Sequence, residues 1–191
     1  MTIFPEHPHI EKAEPKNGKE MRRLVEDHVT FVKFYLGWSL MVIVKAGYIT
    51  DGASVPFSID FKDESEIDER IVKLVRKYFP GENCKDVIWR LIGTPWDMPR
   101  LLAAVVHDAL YSIKWCIRYL CDQVYKRILA NTDYARLRRE TEYDVIRLVG
   151  WRNWKTVSKE EIAWAKPLVL VAWVRDKKID TIVEKLRGDE N

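Results

Sequence analysis

With 191 residues, 47% of them hydrophobic and 12% aromatic, the chain can bury a sizeable core, which excludes a disordered polypeptide. Its 32 Lys and Arg nearly cancel its 29 Asp and Glu, and a net charge of +3 gives no electrostatic case for binding nucleic acid. The longest apolar run, residues 167–174, falls far short of the roughly 20 residues that span a bilayer, so no integral membrane association is expected.

Residues 1–20 carry three prolines, one glycine and many charges, and read as an irregular arm without an apolar signal core. Two β-branched apolar stretches follow, residues 24–34 and 40–49, and predict a hairpin or a pair of sheet strands. Thr50-Asp51-Gly52-Ala53-Ser54-Val55-Pro56 then breaks the pattern, because Asp-Gly favours a tight turn and Pro56 cannot continue a central strand.

Helical spacing takes over beyond that turn. Ile67, Ile71, Leu74, Val75 and Tyr78 predict a helix over 64–79, closed by Pro80-Gly81. A short helix fits 84–92, and Asp97 with Pro99 opens another that runs through His107 to about Ser112. Further helices fit 118–130 and 134–149, the latter ended by Gly150. Ser158 and Glu161 form a capping box for a C-terminal helix that Pro167 kinks or splits. The class is α+β, with a small antiparallel N-terminal sheet and a helical body. The expected organisation is an arm (1–20), one domain (21–155, with 60–83 as a helical insertion) and a C-terminal helical segment (156–191).

The chemistry gathers in Ala103-Ala104-Val105-Val106-His107-Asp108-Ala109-Leu110-Tyr111. On a helix His107 and Tyr111 share a face, with Asp108 about 100° away. Burying an imidazole and a carboxylate among alanines and valines is costly unless both find hydrogen-bond partners or a metal. Asp122 comes fifteen residues after His107. A turn between the two helices would let Asp122 face His107. One straight helix would separate them by about 22 Å. No Gly or Pro marks a turn in Ile113-Lys114-Trp115-Cys116-Ile117, so both arrangements stay open.

T-D-G-A-S-x-P after a strand, A-A-x-x-H-D-x-L-Y, and an aspartate about fifteen residues on resemble domain-of-unknown-function family 1353. Glu142-Tyr143-Asp144-Val145-Ile146-Arg147-Leu148-Val149-Gly150 is similar to that family's closing helix. The resemblance covers roughly residues 44–154. It departs at 60–83 and at the turn before Asp122, which is usually polar. It implies a bacteriophage or prophage setting, in the host cytoplasm or incorporated in the virion, with phage virion or host proteins as partners and a candidate homo-oligomer.

The H-D-x-x-Y core followed by an aspartate also resembles, more distantly, secreted and viral phospholipases A2. That resemblance implies His107 as general base, Asp122 as the group that orients it, Tyr111 as support and Asp108 as ligand of a divalent cation, calcium by preference. Asp51, Gly52 and Ser54 in the Thr50 turn, or the residues 91–95, would have to supply the missing calcium loop. The His-Asp dipeptide is also similar to that of metal-dependent phosphohydrolases, but His7, His9 and His28 lie in the arm or a strand, where they supply no helical ligand set.

The alternative is that His107 and Asp108 form a buried polar network that fixes the helix against the Thr50 turn and does no chemistry. Arg136, Arg138, Arg139 and Arg147, interleaved with Glu140 and Glu142, read as a solvated helix face. Cys84, Cys116 and Cys121 make an odd count without metal-ligand spacing and read as reduced thiols. Most of the eight tryptophans are expected in the core. Trp151 and Trp154 are read as following a helix end, and Trp164 and Trp173 as part of the last helix, a candidate docking element. Two functions emerge: a phage structural or host-interaction protein, and a metal-assisted, phospholipase A2-like hydrolase. The absent calcium loop and the apolar turn weigh towards the first.

Overall fold

The computed structural model describes residues 8–16, 19–35, 37–51, 69–84, 86–87, 98–132 and 134–188. The Gly52–Pro56 part of the turn, residues 60–68, 88–95, Asp97 and His7 lie outside these described residues.

Within the supposed arm, residues 10–16 and 19–20 are strand rather than irregular. β1 (Ile10–Lys16) and β2 (Lys19–Leu24) pair antiparallel, and the two-residue β5 (Ile49–Thr50) joins the far side of β2 with Arg22 opposite Thr50. Charged residues obscured these strands, because an antiparallel ribbon exposed to water needs few apolar positions. Leu24 provides the anchor: it is buried, its N–H donates to Tyr48 O at 2.8 Å, and its carbonyl accepts from Gly47 N at 2.8 Å.

The two apolar stretches form β3 (His28–Tyr35) and β4 (Trp38–Val44), a hairpin turned at Gly37, whose φ of 76° suits a residue without Cβ. The C-terminal segment departs from the helical reading. α5 (Lys159–Ala165) begins at Ser158, whose hydroxyl accepts from Glu161 N at 3.1 Å. Pro167 then sits in a 3₁₀ turn, and residues 169–175 form β6 (Val169–Arg175). β6 pairs with β4 from Val44↔Val169 to Trp38↔Arg175, giving the order β3-β4-β6. Val169-Leu170-Val171-Ala172-Trp173-Val174 is rich in β-branched residues, and β4 offers it a free apolar edge that a helix could not pair with. α6 (Ile179–Gly188) covers the outer face of this sheet, with Val183, Ile179 and Ile182 on Val29 and Phe31.

The helical body packs on the inner face. α1 (Glu69–Tyr78) buries Ile71, Val72 and Val75 in a side cluster with Ala104 and Val145, whereas Tyr78 is exposed. α2 (Met98–Ser112) lies against β4 and β5, α3 (Arg118–Asn131) against α2 and β3, and α4 (Arg136–Thr156) against α3. The main core joins Leu24, Val42, Val106, Leu110, Val124 and Ile128 to Ala165 and Val169, so strands, helices and C-terminal segment share one interior.

Trp151 and Trp154 lie inside α4, which runs through Gly150 without ending there. None of the described tryptophans is buried: Trp38, Trp115 and Trp154 are half-buried, while Trp151, Trp164 and Trp173 are exposed. Their rings flank the core. Trp154 meets Tyr111 edge-on, Trp164 stacks on Tyr48, and Trp173 meets Phe34 edge-on.

Candidate functional site

The chain does turn between His107 and Asp122, without a glycine. Trp115 N donates to Leu110 O at 3.1 Å and Lys114 N to Tyr111 O at 3.0 Å, the paired bonds of a Schellman motif. Lys114 takes the left-handed position at φ 46°, a place where glycine is the usual signal. α3 then runs back along α2, so that His107 meets Asp122 while Arg100 meets Tyr125.

Asp122 is wholly buried and each of its oxygens is used. Oδ1 accepts from His107 Nε2 at 3.0 Å and Tyr111 OH at 2.5 Å. Oδ2 accepts from Arg147 Nη1 at 2.7 Å, with Arg118 Nε at 3.9 Å. Burial pushes the Asp122 pKa up, but His107, Tyr111 and Arg147 outweigh it and hold the carboxyl below its ordinary value. Burial, then Asp122, pushes the Tyr111 phenol well up, so Tyr111 stays a donor.

An ionised Asp122 on Nε2 has a chemical consequence. In the neutral imidazole it keeps the proton on Nε2 and leaves the lone pair on Nδ1. Nδ1 lies on the Asp108 side of the ring, 4.0 Å from Asp108 Oδ1. Asp108 Oδ2 accepts from Thr50 Oγ1 at 2.6 Å, which ties β5 to α2, and Tyr48 and Ser112 share a 2.9 Å hydroxyl–hydroxyl bond beside it. His107, Asp108, Tyr111 and Asp51 line one cavity of about 310 Å³, walled by β5, α2 and the C-terminal half of α4.

The structure thus brings together five of the residues singled out from sequence: His107 and Asp122 in contact, Tyr111 on the same carboxylate, and Asp108 and Asp51 on the cavity wall. Gly52 and Ser54 lie outside the described residues, as do residues 91–95. Among the described residues no three His, Cys, Asp or Glu side chains are placed to share a metal ion.

Three contributors escaped the sequence reading. Arg147 and Glu142 are not part of a solvated face: Arg147 binds Asp122, and Glu142 is buried. Gly150 is no helix terminator. A Cβ there would stand 2.9 Å from Tyr111 OH, so a hydrogen at this position lets α4 approach the Tyr111–Asp122 bond. The signal was available in the spacing 142, 146, 150, 153, one helical stripe that places Glu142 and Gly150 beside the apolar Ile146. Gly150→Ala is expected to destabilise the fold by about 1–3 kcal/mol through overpacking, despite the better helix propensity of alanine. Denaturant unfolding checks this, and an unchanged or higher midpoint would mean that Tyr111 yields freely.

No family model matches the chain, nor does any curated protein or solved structure.

Proposed function

We propose that the chain is a general-base hydrolase, with His107 Nδ1 taking a proton from a water held in the cavity and Asp122 orienting the ring. One observation carries the reading: His107 lines a polar cavity while its far nitrogen is held by a buried carboxylate. A general base needs that arrangement, with one ring nitrogen towards the cavity and the tautomer fixed from the other side. Proton abstraction would convert His107 to imidazolium, and Asp122, 3.0 Å away, stabilises that charge. Arg147 and Tyr111 keep the Asp122 carboxylate in place, so that both acceptor oxygens are committed before substrate arrives.

The resemblance to phospholipases A2 suggests carboxylic esters, phospholipids included, as the substrate class. Under that proposal Asp108 and Asp51 are the carboxylates that would hold a divalent cation, calcium by preference, which when bound would polarise the ester carbonyl. The test is an ester and phospholipid hydrolysis screen, with and without calcium, on the wild type, His107→Gln and Asp108→Ala. Glutamine keeps an N–H for Asp122 but cannot accept the water's proton. Turnover by the wild type that falls at least about a hundredfold in His107→Gln, with little change in melting temperature, is the expected result. Saturable calcium binding lost in Asp108→Ala, read by calorimetry, would extend it to the metal.

A second reading is favoured by the four groups that converge on Asp122 from α2, α3 and α4. There the network is architecture in a bacteriophage structural or host-interaction protein, and the exposed Trp164 and Trp173 belong to a contact surface for a virion or host partner. An inactive wild type whose His107→Gln variant simply melts much earlier would favour this reading over the hydrolase.

A further inference from the structure

The turn that delivers Asp122 carries two of the three cysteines at special positions. Ile117 is the N-cap of α3 and has no side-chain cap bond, so Cys116 is the residue before the cap and Cys121 the fourth helical residue. Those two positions pack against each other when a hydrophobic staple closes a helix start. Cys116 and Cys121 fill them here. Both are free thiols, Cys121 wholly buried and Cys116 partly exposed, with Cys116 packed on the core cluster that contains Cys121. The thiols interact with one another, and Cys116 Sγ also donates to Ile117 O at 3.5 Å.

We propose that Cys116 and Cys121 are a redox-modification site that closes to an intramolecular disulfide on exposure to a disulfide oxidant such as oxidised glutathione. Chemically, the more accessible Cys116 thiolate attacks the oxidant's S–S bond and expels one glutathione thiolate. The Cys121 thiolate then attacks the Cys116 sulfur, expels the second, and forms the protein disulfide. Two protein thiols are oxidised, one glutathione disulfide is reduced, and the two protons pass to the released thiolates. The staple supplies the proximity, because its two side chains already meet across the helix entry. The bond would tie the start of α3 to the turn one residue before Asp122, whatever chemistry His107 performs.

Burial raises both thiols above their ordinary pKa. Exchange is therefore slow at neutral pH and accelerates as the solution is made alkaline. Cys84 is buried in a different cluster and serves as an internal control.

The experiment treats the full chain with oxidised glutathione at about pH 8.5, where ordinary thiols are half ionised, and reads intact mass, a tryptic map and the melting curve. Cleavage after Lys114, Arg118 and Lys126 places the two cysteines on separate peptides, 115–118 and 119–126, so the linked pair identifies itself. The expected result is loss of two hydrogens, those two peptides joined, Cys84 unmodified, and a cooperative melt a few degrees higher than that of the reduced protein. Cys116→Ser, a change at a partly exposed position, should abolish the mass loss. A glutathione adduct that persists on Cys116, a link through Cys84 or between chains, an oxidised form that has lost its cooperative melt, or no reaction would each overturn the proposal.

Discussion

Glu142→Leu is expected to destabilise the protein by about 3–5 kcal/mol, the usual cost of stripping one partner from a buried ion pair. Glu142 and Arg100 are almost fully buried, with Arg100 Nε 3.4 Å from Glu142 Oε2. Tyr125 OH donates to the same oxygen at 2.8 Å and Tyr134 OH to the other, so the substitution leaves a buried guanidinium and two buried hydroxyls short of an acceptor. Burial pushes the Glu142 carboxyl up, and Arg100 only partly draws it back. The pair is therefore costly to bury and costlier to break. The double variant Arg100→Met/Glu142→Leu, which removes both charges and keeps the volume, should regain much of the loss. Denaturant unfolding at constant slope measures both. A double variant no better than the single would mean that Arg100 was never the source of the penalty.

The second large effect is acid sensitivity from His28. This residue sits on the inner face of β3, 1% exposed, and among the described residues neither ring nitrogen has a hydrogen-bond partner, nor does the neighbouring Thr30 Oγ1. Burial lowers its pKa from 6.5 to about 4. Because the folded state holds the proton more weakly than the unfolded state, the unfolded state binds more protons as pH falls. Stability is thus fully present above pH 6.5, declines as pH drops below that value, and levels off below about 4. The total loss is about 3 kcal/mol, at roughly 1.4 kcal/mol per pH unit in the steepest part. Asp122 acts in a lower window: its folded pKa is depressed below 3.8, so its contribution is lost only as pH falls through that range. His28→Leu should remove the upper limb of the acid profile and leave the lower one. If unfolding free energies of His28→Leu and wild type stay parallel between pH 6.5 and 4, the imidazole is not the group responsible.

Local rules recovered those parts of the molecule whose signals are local. The β3–β4 hairpin announces itself through β-branched runs around Gly37, α1 through its apolar spacing, and α5 through the Ser158 cap. His107, Asp108 and Tyr111 were found because a polar pair inside an apolar helix demands partners. The turn before Asp122 was not legible, since Lys114 holds a left-handed position without glycine and the surrounding tertiary contacts carry that cost. α4 misled for a different reason. Its charges are spread around the helix with no clean apolar stripe, so Glu142 and Arg147 looked solvated until α2 and α3 packed beside them.

From residue types and spacing alone follow the α+β class, the hairpin of apolar strands and the demand of the His107-Asp108 pair for partners, because each depends on interactions within a few residues of chain. Tertiary packing alone decided that β6 completes the second sheet, that Arg147 and Gly150 serve Asp122, and that His107 meets Asp122 beside a cavity. Those outcomes join residues far apart in sequence, and a free strand edge, a buried carboxylate or a close helix approach exists only once the chain has folded.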